Sequence, residues 1–211
     1  MVFYLYLQPE IHSLKQSKSE RTRQFIIEKT APVFNEKGYA GTSMTDLTAV
    51  TGLTKGSIYG NFENKDEVAV AAFDHNFSLV IGFIKTRMEL KDTIVEKLLV
   101  YPEVYGNFLA IPFLKAGCPL LNTSTEADDT HPQLREKASN ALKFWKSSVE
   151  RLLTKGIETG EIKTQTNTSE FAAILMSLVE GAVMQAKVTG QDAELKSSMN
   201  FLKKLILELK N

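Results

Sequence analysis

Thr42-Ser43-Met44-Thr45-Asp46-Leu47-Thr48-Ala49-Val50-Thr51-Gly52-Leu53-Thr54-Lys55-Gly56-Ser57-Ile58-Tyr59-Gly60-Asn61-Phe62 is the stretch on which the fold of this chain turns. Ser43 with Asp46 three residues on has the form of a capping box, in which each side chain satisfies an orphan backbone N–H of the other. A helix therefore starts at Met44. Met44, Leu47 and Val50 or Thr51 recur at three and four to give one buried stripe, and Gly52 supplies the left-handed residue that ends a helix cheaply. Leu53 turns inward, Thr54 caps a second short helix, and Ile58 and Phe62 bury its inner face against the first. Its outer face is left with Lys55, Ser57, Tyr59 and Asn61, and Gly56 among them lets the backbone approach another surface closely. Asn64 with Glu67 forms a third cap, so another helix begins at Lys65. Helix, tight turn and polar second helix predict a DNA reader.

Outward from this core, the pattern continues upstream in Arg21-Thr22-Arg23, the apolar set Ile27, Ala31, Phe34 and the turn Gly38-Tyr39-x-Gly41-Thr42-Ser43. Downstream it continues in Tyr59-x-Asn61-Phe62-x-Asn64-Lys65-x-Glu67. On these residues the segment resembles the DNA-binding domain of the TetR family of bacterial transcriptional regulators. The resemblance implies that Lys55, Gly56 and Ser57 open the recognition helix and approach base edges, with Thr45 on the supporting helix near a base or phosphate. It further implies that Thr42, Ser43, Tyr59, Asn61 and Lys65 hold the phosphate backbone. Asn61 stands where the family often has His, and either side chain donates to a phosphate. Read without the family, Ser43 and Asn64 are sufficient as caps, Tyr59 as a ring under the motif, and Lys65 as a solvated residue of a first turn.

Composition neither supplies nor removes this reading. The chain has 211 residues, 43% hydrophobic and 24% charged, with 25 basic and 25 acidic side chains. Those proportions suit a globular protein with a sizeable core. Lys15 to Lys65 holds 8 Lys or Arg against 5 Asp or Glu, leaving 17 against 20 elsewhere, a mild +3 and −3 asymmetry. Two copies of such a domain presented together would add their phosphate contacts. A lone cysteine, Cys118, excludes an intramolecular disulfide and fits a reducing cytoplasm. No uninterrupted apolar run reaches the roughly 18 residues of a bilayer span, so no membrane partner is expected. Met1 to Leu7 is apolar, but no basic residue precedes it and Gln8-Pro9-Glu10 ends it too early for a signal peptide.

An all-α fold is expected, in three parts: an N-terminal arm at 1–17, a helix-turn-helix domain at 18–66, and a helical ligand-binding and dimerisation domain at 67–211. Pro32 should kink or interrupt the first helix. A long helix from Lys65 to about Met88 links the two domains. Lys91 to Asp128 is broken by Pro102, Pro112 and Pro119 with Gly106 and Gly117, which marks short helices at steep angles. His131-Pro132 opens another long helix ending around Gly156 to Gly160. In the last two helices Phe171, Ile174, Leu178, Ala182 and Gln185, and then Leu195, Met199, Leu202 and Ile206, recur at three and four. The resemblance implies that these stripes, with Gly181 allowing close approach, pair with a second copy in a four-helix bundle. The other reading is that they close the chain's own core. A two-fold dimer would read a palindromic operator whose half-sites lie about 34 Å, or a multiple of it, apart.

Family likeness further implies an unidentified small-molecule effector that binds the DNA-incompetent state better and so releases the operator. Tyr105, Phe108, Phe113, Cys118, Asn122, Trp145, Met176 and Met184 are the candidate lining, Tyr105 and Asn122 supplying polar groups. Plain core burial is the competing reading for the aromatic and Met side chains. Cys118 follows Gly117 and precedes Pro119 at a helix start, where the dipole favours a reactive thiolate and a redox-sensing role, against a buried inert thiol. Nothing indicates an enzyme or a bound cofactor: His12, His75 and His131 lack metal-ligand spacing, and no phosphate loop or nucleophile elbow occurs. A helical interaction module without DNA binding is the remaining alternative.

Overall fold

The computed structural model describes residues 17–211, so the expected arm at 1–17 lies outside it except for Ser17. Nine α-helices and two single 3-10 turns account for nearly all of the regular structure among these residues, with one isolated bridge between Ile162 and Lys210. The fold is all-α, as the sequence predicts.

Helix α1 spans Lys18–Gly41, opened by Ser17 and Glu20 in a reciprocal capping box. It runs through Pro32, against expectation. Pro32 and the residue whose carbonyl it orphans, Glu28, are both exposed, so the hydrogen bond is missing on a side open to solvent and not in the core. The interruption falls at Gly38 instead, with φ 73° and ψ 176°, a conformation that side chains exclude. α2 (Met44–Thr51) is closed by Gly52 in the left-handed conformation, and α3 (Lys55–Tyr59) is capped by Thr54, whose hydroxyl accepts from Ser57 N–H. Leu47, Ile58 and Phe62 are essentially sealed against Ile26, Ala31 and Phe34 of α1. At about 1.5–3 kcal/mol for each large side chain, that small core holds the two short helices, which would not persist alone. Thr51 rather than Val50 completes the α2 stripe, since Val50 is exposed.

α4 (Lys65–Glu89) carries the chain into the second bundle of α5 (Ile94–Tyr105), α6 (Pro119–Ala127), α7 (Pro132–Glu158), α8 (Thr168–Thr189) and α9 (Ala193–Glu208). The proline-rich connection between α5 and α6 forms 3-10 turns at Phe108–Ala110 and Pro112–Leu114. By length and composition alone α4 and α8 could cross a membrane. α4 buries Val68, Ala72, Phe73, Phe77, Val80 and Ile84 in the core, where its Asn76 donates to Ala31 O of α1, and α8 buries Ala172, Leu175, Val179, Ala182, Val183 and Ala186 there.

The C-terminal stripes need correction. Leu195, Met199, Leu202 and Ile206 are at most 3% exposed and Ala182 is 2% exposed within one protomer, so they close its own core. On a helix apolar on more than one side, the most regular stripe is the one best buried, and it is not the one left over for a partner. Ile174 and Gln185 do face outward, Phe171, Leu178 and Gly181 are half-buried, and a methyl group built on Gly181 meets nothing within 4 Å. Met184, Val188, Phe201 and Leu207 extend this exposed apolar surface across α8 and α9.

Candidate nucleic-acid interface and regulatory core

Thr45, Lys55, Gly56 and Tyr59 stand exposed on the outer side of α2 and α3, with Ser57 half-buried beside them. Lys55 Nζ lies 5.7 Å from the Tyr59 ring centre, and a methyl group on Gly56 would touch only Thr54 Oγ1, at 4.0 Å. One face therefore gathers a cation, hydroxyls and an unobstructed stretch of backbone. Apart from Tyr59, the positions matched to phosphate contacts already have partners within the chain. Thr42 is 1% exposed, its hydroxyl donates to Gly38 O and its N–H to Tyr39 O, so a phosphate role for this side chain is withdrawn. Ser43 is held in the capping box, donating to Asp46 Oδ2 at 2.6 Å. Lys37 and Ser43 together hold the Asp46 carboxyl well below the usual carboxylate range. Lys65 Nζ donates to Tyr39 O and Thr42 O, both at 2.9 Å, which satisfies the carbonyls at the end of α1 and leaves one N–H. Asn61 Nδ2 donates to Ser57 O and its Oδ1 accepts from Ser19, so it braces α3 against α1. Arg23, weighed only as part of the family pattern, stacks its guanidinium 3.9 Å over Phe62 and bridges to Glu67 at 2.6 Å.

The two bundles meet at the broken end of α1. Glu126 of α6 accepts from the Tyr39 and Ala40 N–H groups, each at 2.8 Å, which the Gly38 break frees from the helix. One turn earlier Asn122 donates to Asn35 Oδ1 and O, while Asn35 donates to Gly117 O. Beside them the Tyr39 hydroxyl donates to Asp66, and burial with that bond pushes its pKa up to about 12. His131 stacks edge-on against Tyr39 at 4.4 Å and caps α7 by accepting from Leu134 N–H. Asn122 therefore joins α6 to α1, and its assignment as a ligand-orienting group is withdrawn. Sequence reading missed Glu126 because its partners are backbone groups 86 and 87 residues away.

Of the remaining candidate lining, Tyr105, Phe108, Cys118 and Trp145 are 1–3% exposed core residues, and Phe113 packs edge-on against Phe83. Tyr105 and Trp145 stack at 5.9 Å and, with Cys118, border a void of about 10 Å³, room for one water. Met184 is exposed, and Met176 lines an open groove of about 380 Å³ between α6, α7 and α8. Cys118 Sγ lies 3.1 Å from Glu180 Oε1, and burial, then the adjacent carboxylate, push the thiol well above its usual range. The helix start at α6 is outweighed, and the redox reading loses its reactive thiolate. Glu180 was also missed; a lone carboxylate in the apolar run of α8 was the available signal. A larger cavity of about 540 Å³ lies between α4 and α7, floored by Val70, Phe77, Ala141 and Phe144. Among the described residues no cluster has metal-ligand composition, and Cys118 and His131 have separate partners.

Comparison with known proteins adds a second line. Residues 26–72 match the model of bacterial regulatory proteins of the tetR family, and residues 95–202 match the tetracyclin repressor-like C-terminal domain. A TetR-family regulator from Cytophaga hutchinsonii superposes with a TM-score of 0.86 at 46% identity, over 93% of this chain and 98% of that one. The transcriptional repressor DhaR of Mycobacterium sp. (strain GP1) is 26% identical over 79% of this chain and 82% of its own. FadR of Bacillus subtilis, solved in complex with stearoyl-CoA, shares the fold with a TM-score of 0.71 at 22% identity, over 89% of this chain and 99% of its own. With a helix-turn-helix whose outer face is free, a helical bundle joined to it at the end of α1, and these matches across both parts, the chain belongs to the TetR family of bacterial transcriptional regulators.

Proposed function

We propose that the protein is a dimeric repressor that reads a palindromic operator in the cytoplasm and is released by a small molecule held in its C-terminal bundle. The observation that carries this reading is the pairing of two features: an outward face of Thr45, Lys55, Gly56 and Tyr59 with half-buried Ser57, and hydrogen bonds accepted by Glu126 and donated by Asn122 that tie that unit to α6. Residues 18–66 are the reading domain and 67–211 the controlling one. Lys55 and Ser57 address base edges, Gly56 admits the backbone, and Tyr59, Thr45 and the spare N–H of Lys65 address phosphates. The exposed faces of α8 and α9, centred on Ile174, Gly181, Gln185 and Phe201, form the two-fold contact.

A ligand that moves α6 changes the hydrogen bonds at Gly38 and with them the angle of the reading head, so binding at one site costs affinity at the other. DhaR is named a repressor and FadR holds an acyl-CoA; both support repression and effector control as the direction of this switch. An electrophoretic shift on DNA upstream of the gene tests it. A salt-sensitive, sequence-specific shift in the nanomolar to micromolar range is expected. Lys55→Ala should weaken it and relax discrimination at one base position by about 1–3 kcal/mol. No specific shift would refute the regulator reading, and equal loss at every operator variant would remove Lys55 from base reading.

A further inference from the structure

We infer that the groove between α6, α7 and α8 takes a small organic cation, its apolar body lying on Leu120, Leu121, Leu142 and Met176 and its ammonium paired with the Glu180 carboxylate. The inference deepens the effector reading above and rests on it.

Glu180 is the observation that points to a ligand. Its Oε1 accepts from Cys118, whereas Oε2 is out of solvent and has no hydrogen-bond partner among the described residues. An unpaired buried carboxylate oxygen costs several times what a satisfied one does, and a native core seldom retains one without use for it. The residue also lines the open groove of about 380 Å³, the size of a small ligand site. Leu120 lines both that groove and the inner void beside Tyr105 and Trp145, and so stands between them.

The groove's lining carries two charged residues, Glu180 and Lys146. Lys146 has Nζ 3.7 Å from Glu150, one turn along α7. Among the described residues no cation is paired with Glu180: the groups facing it are the Cys118 thiol and the Tyr105 phenol, both pushed well above their usual ranges by burial and so neutral around pH 7. Burial likewise pushes Glu180 itself up to about 7. Because Oε2 is out of solvent, the Glu180 side chain turns toward the groove to meet an ammonium, which then supplies the missing donor and the missing charge, and the carboxyl gives up its proton to solvent as the pair forms. Anionic ligands meet the opposite balance.

The site also lies on the path to the reading head. Cys118 is the N-cap of α6, and one and two turns further along this nine-residue helix are Asn122 and Glu126, bonded to α1. A ligand that draws Glu180 from Cys118 releases one end of α6 while the other end holds the Gly38 break.

Isothermal titration of the full chain without DNA, using phenylbutylammonium, phenylbutanol and phenylbutyrate, tests the inference with one apolar body and three head groups. The ammonium should bind at least about tenfold more tightly than the alcohol, and the carboxylate weakest. Its affinity should rise about tenfold from about pH 6 to about pH 8, as Glu180 ionises. Glu180→Gln should bring the ammonium down to the alcohol's affinity and remove the pH dependence. Leu142→Arg, on the exposed wall, should weaken all binding without disturbing the core. Equal affinities for ammonium and alcohol, unchanged binding by either variant, or no binding of any probe up to millimolar would overturn the inference. A gel shift on the same preparations keeps the two readings apart. Specific DNA binding without ammonium binding sinks the cation site alone, and ammonium binding without specific DNA binding sinks the repressor reading alone.

Discussion

Gly38→Ala offers the most direct test of how the two bundles are joined. At φ 73° and ψ 176° an alanine backbone is strained, by about 1–3 kcal/mol. Its methyl group would also lie 2.5 Å from Glu126 Oε2 and 2.8 Å from Cδ, so the carboxylate must swing away. That movement breaks the bonds to Tyr39 and Ala40 N–H. A hydrogen bond to a charged group contributes about 1.5–3 kcal/mol when shielded; half-exposed Glu126 stands at or below the low end, giving about 2 kcal/mol for the pair. The sum is about 3–5 kcal/mol, or a fall in Tm of about 10 °C for a chain of this length. Urea denaturation of the wild type, Gly38→Ala, Glu126→Ala and the double variant would separate the parts. In the Glu126→Ala background the glycine substitution should cost only its backbone share, leaving a coupling energy of about 2 kcal/mol. Costs that add to within about 0.5 kcal/mol would refute the idea that Gly38 is there to admit Glu126.

Gly56→Ala should leave stability unchanged or raise it by about 0.5–1 kcal/mol, because the added methyl group meets only Thr54 Oγ1 at 4.0 Å. The same substitution should lower operator affinity at least about tenfold if α3 docks by its backbone, as a gel shift would report. Phe201→Glu, on a side chain 53% exposed, should yield a folded monomer in sedimentation velocity at micromolar protein, and the wild type should sediment as a dimer. Raised folded-state affinity for a proton at Glu180 means stability is fully present below about pH 4.5 and lost as pH rises through about 7. Glu180→Gln should flatten that loss, so its urea midpoint should exceed the wild type's more at about pH 8 than at about pH 5.

Local signals carried the reading head and most helix boundaries. Ser43 with Asp46, Gly52, Thr54 and Asn64 act through bonds spanning a turn or less, so their effect is written in consecutive residues. Apolar repeats at three and four located α8 and α9 for the same reason. Pro32 misled because the cost of a proline depends on whether the carbonyl it abandons reaches water, which spacing does not state. What the tertiary structure alone decided was direction and partnership. Leu195, Met199, Leu202 and Ile206 form the more regular stripe yet face their own core, while Phe201 faces out. Thr42, Lys65 and Asn122 have the chemistry to meet a ligand or a phosphate, and they are claimed by carbonyls at the end of α1 and by Asn35. Glu126 and Glu180 looked like ordinary helix residues until distant backbone and an apolar wall closed around them. A cap is settled by its neighbours in sequence; the occupation of a donor, or the burial of a carboxylate, is settled by whatever the fold brings against it from far along the chain.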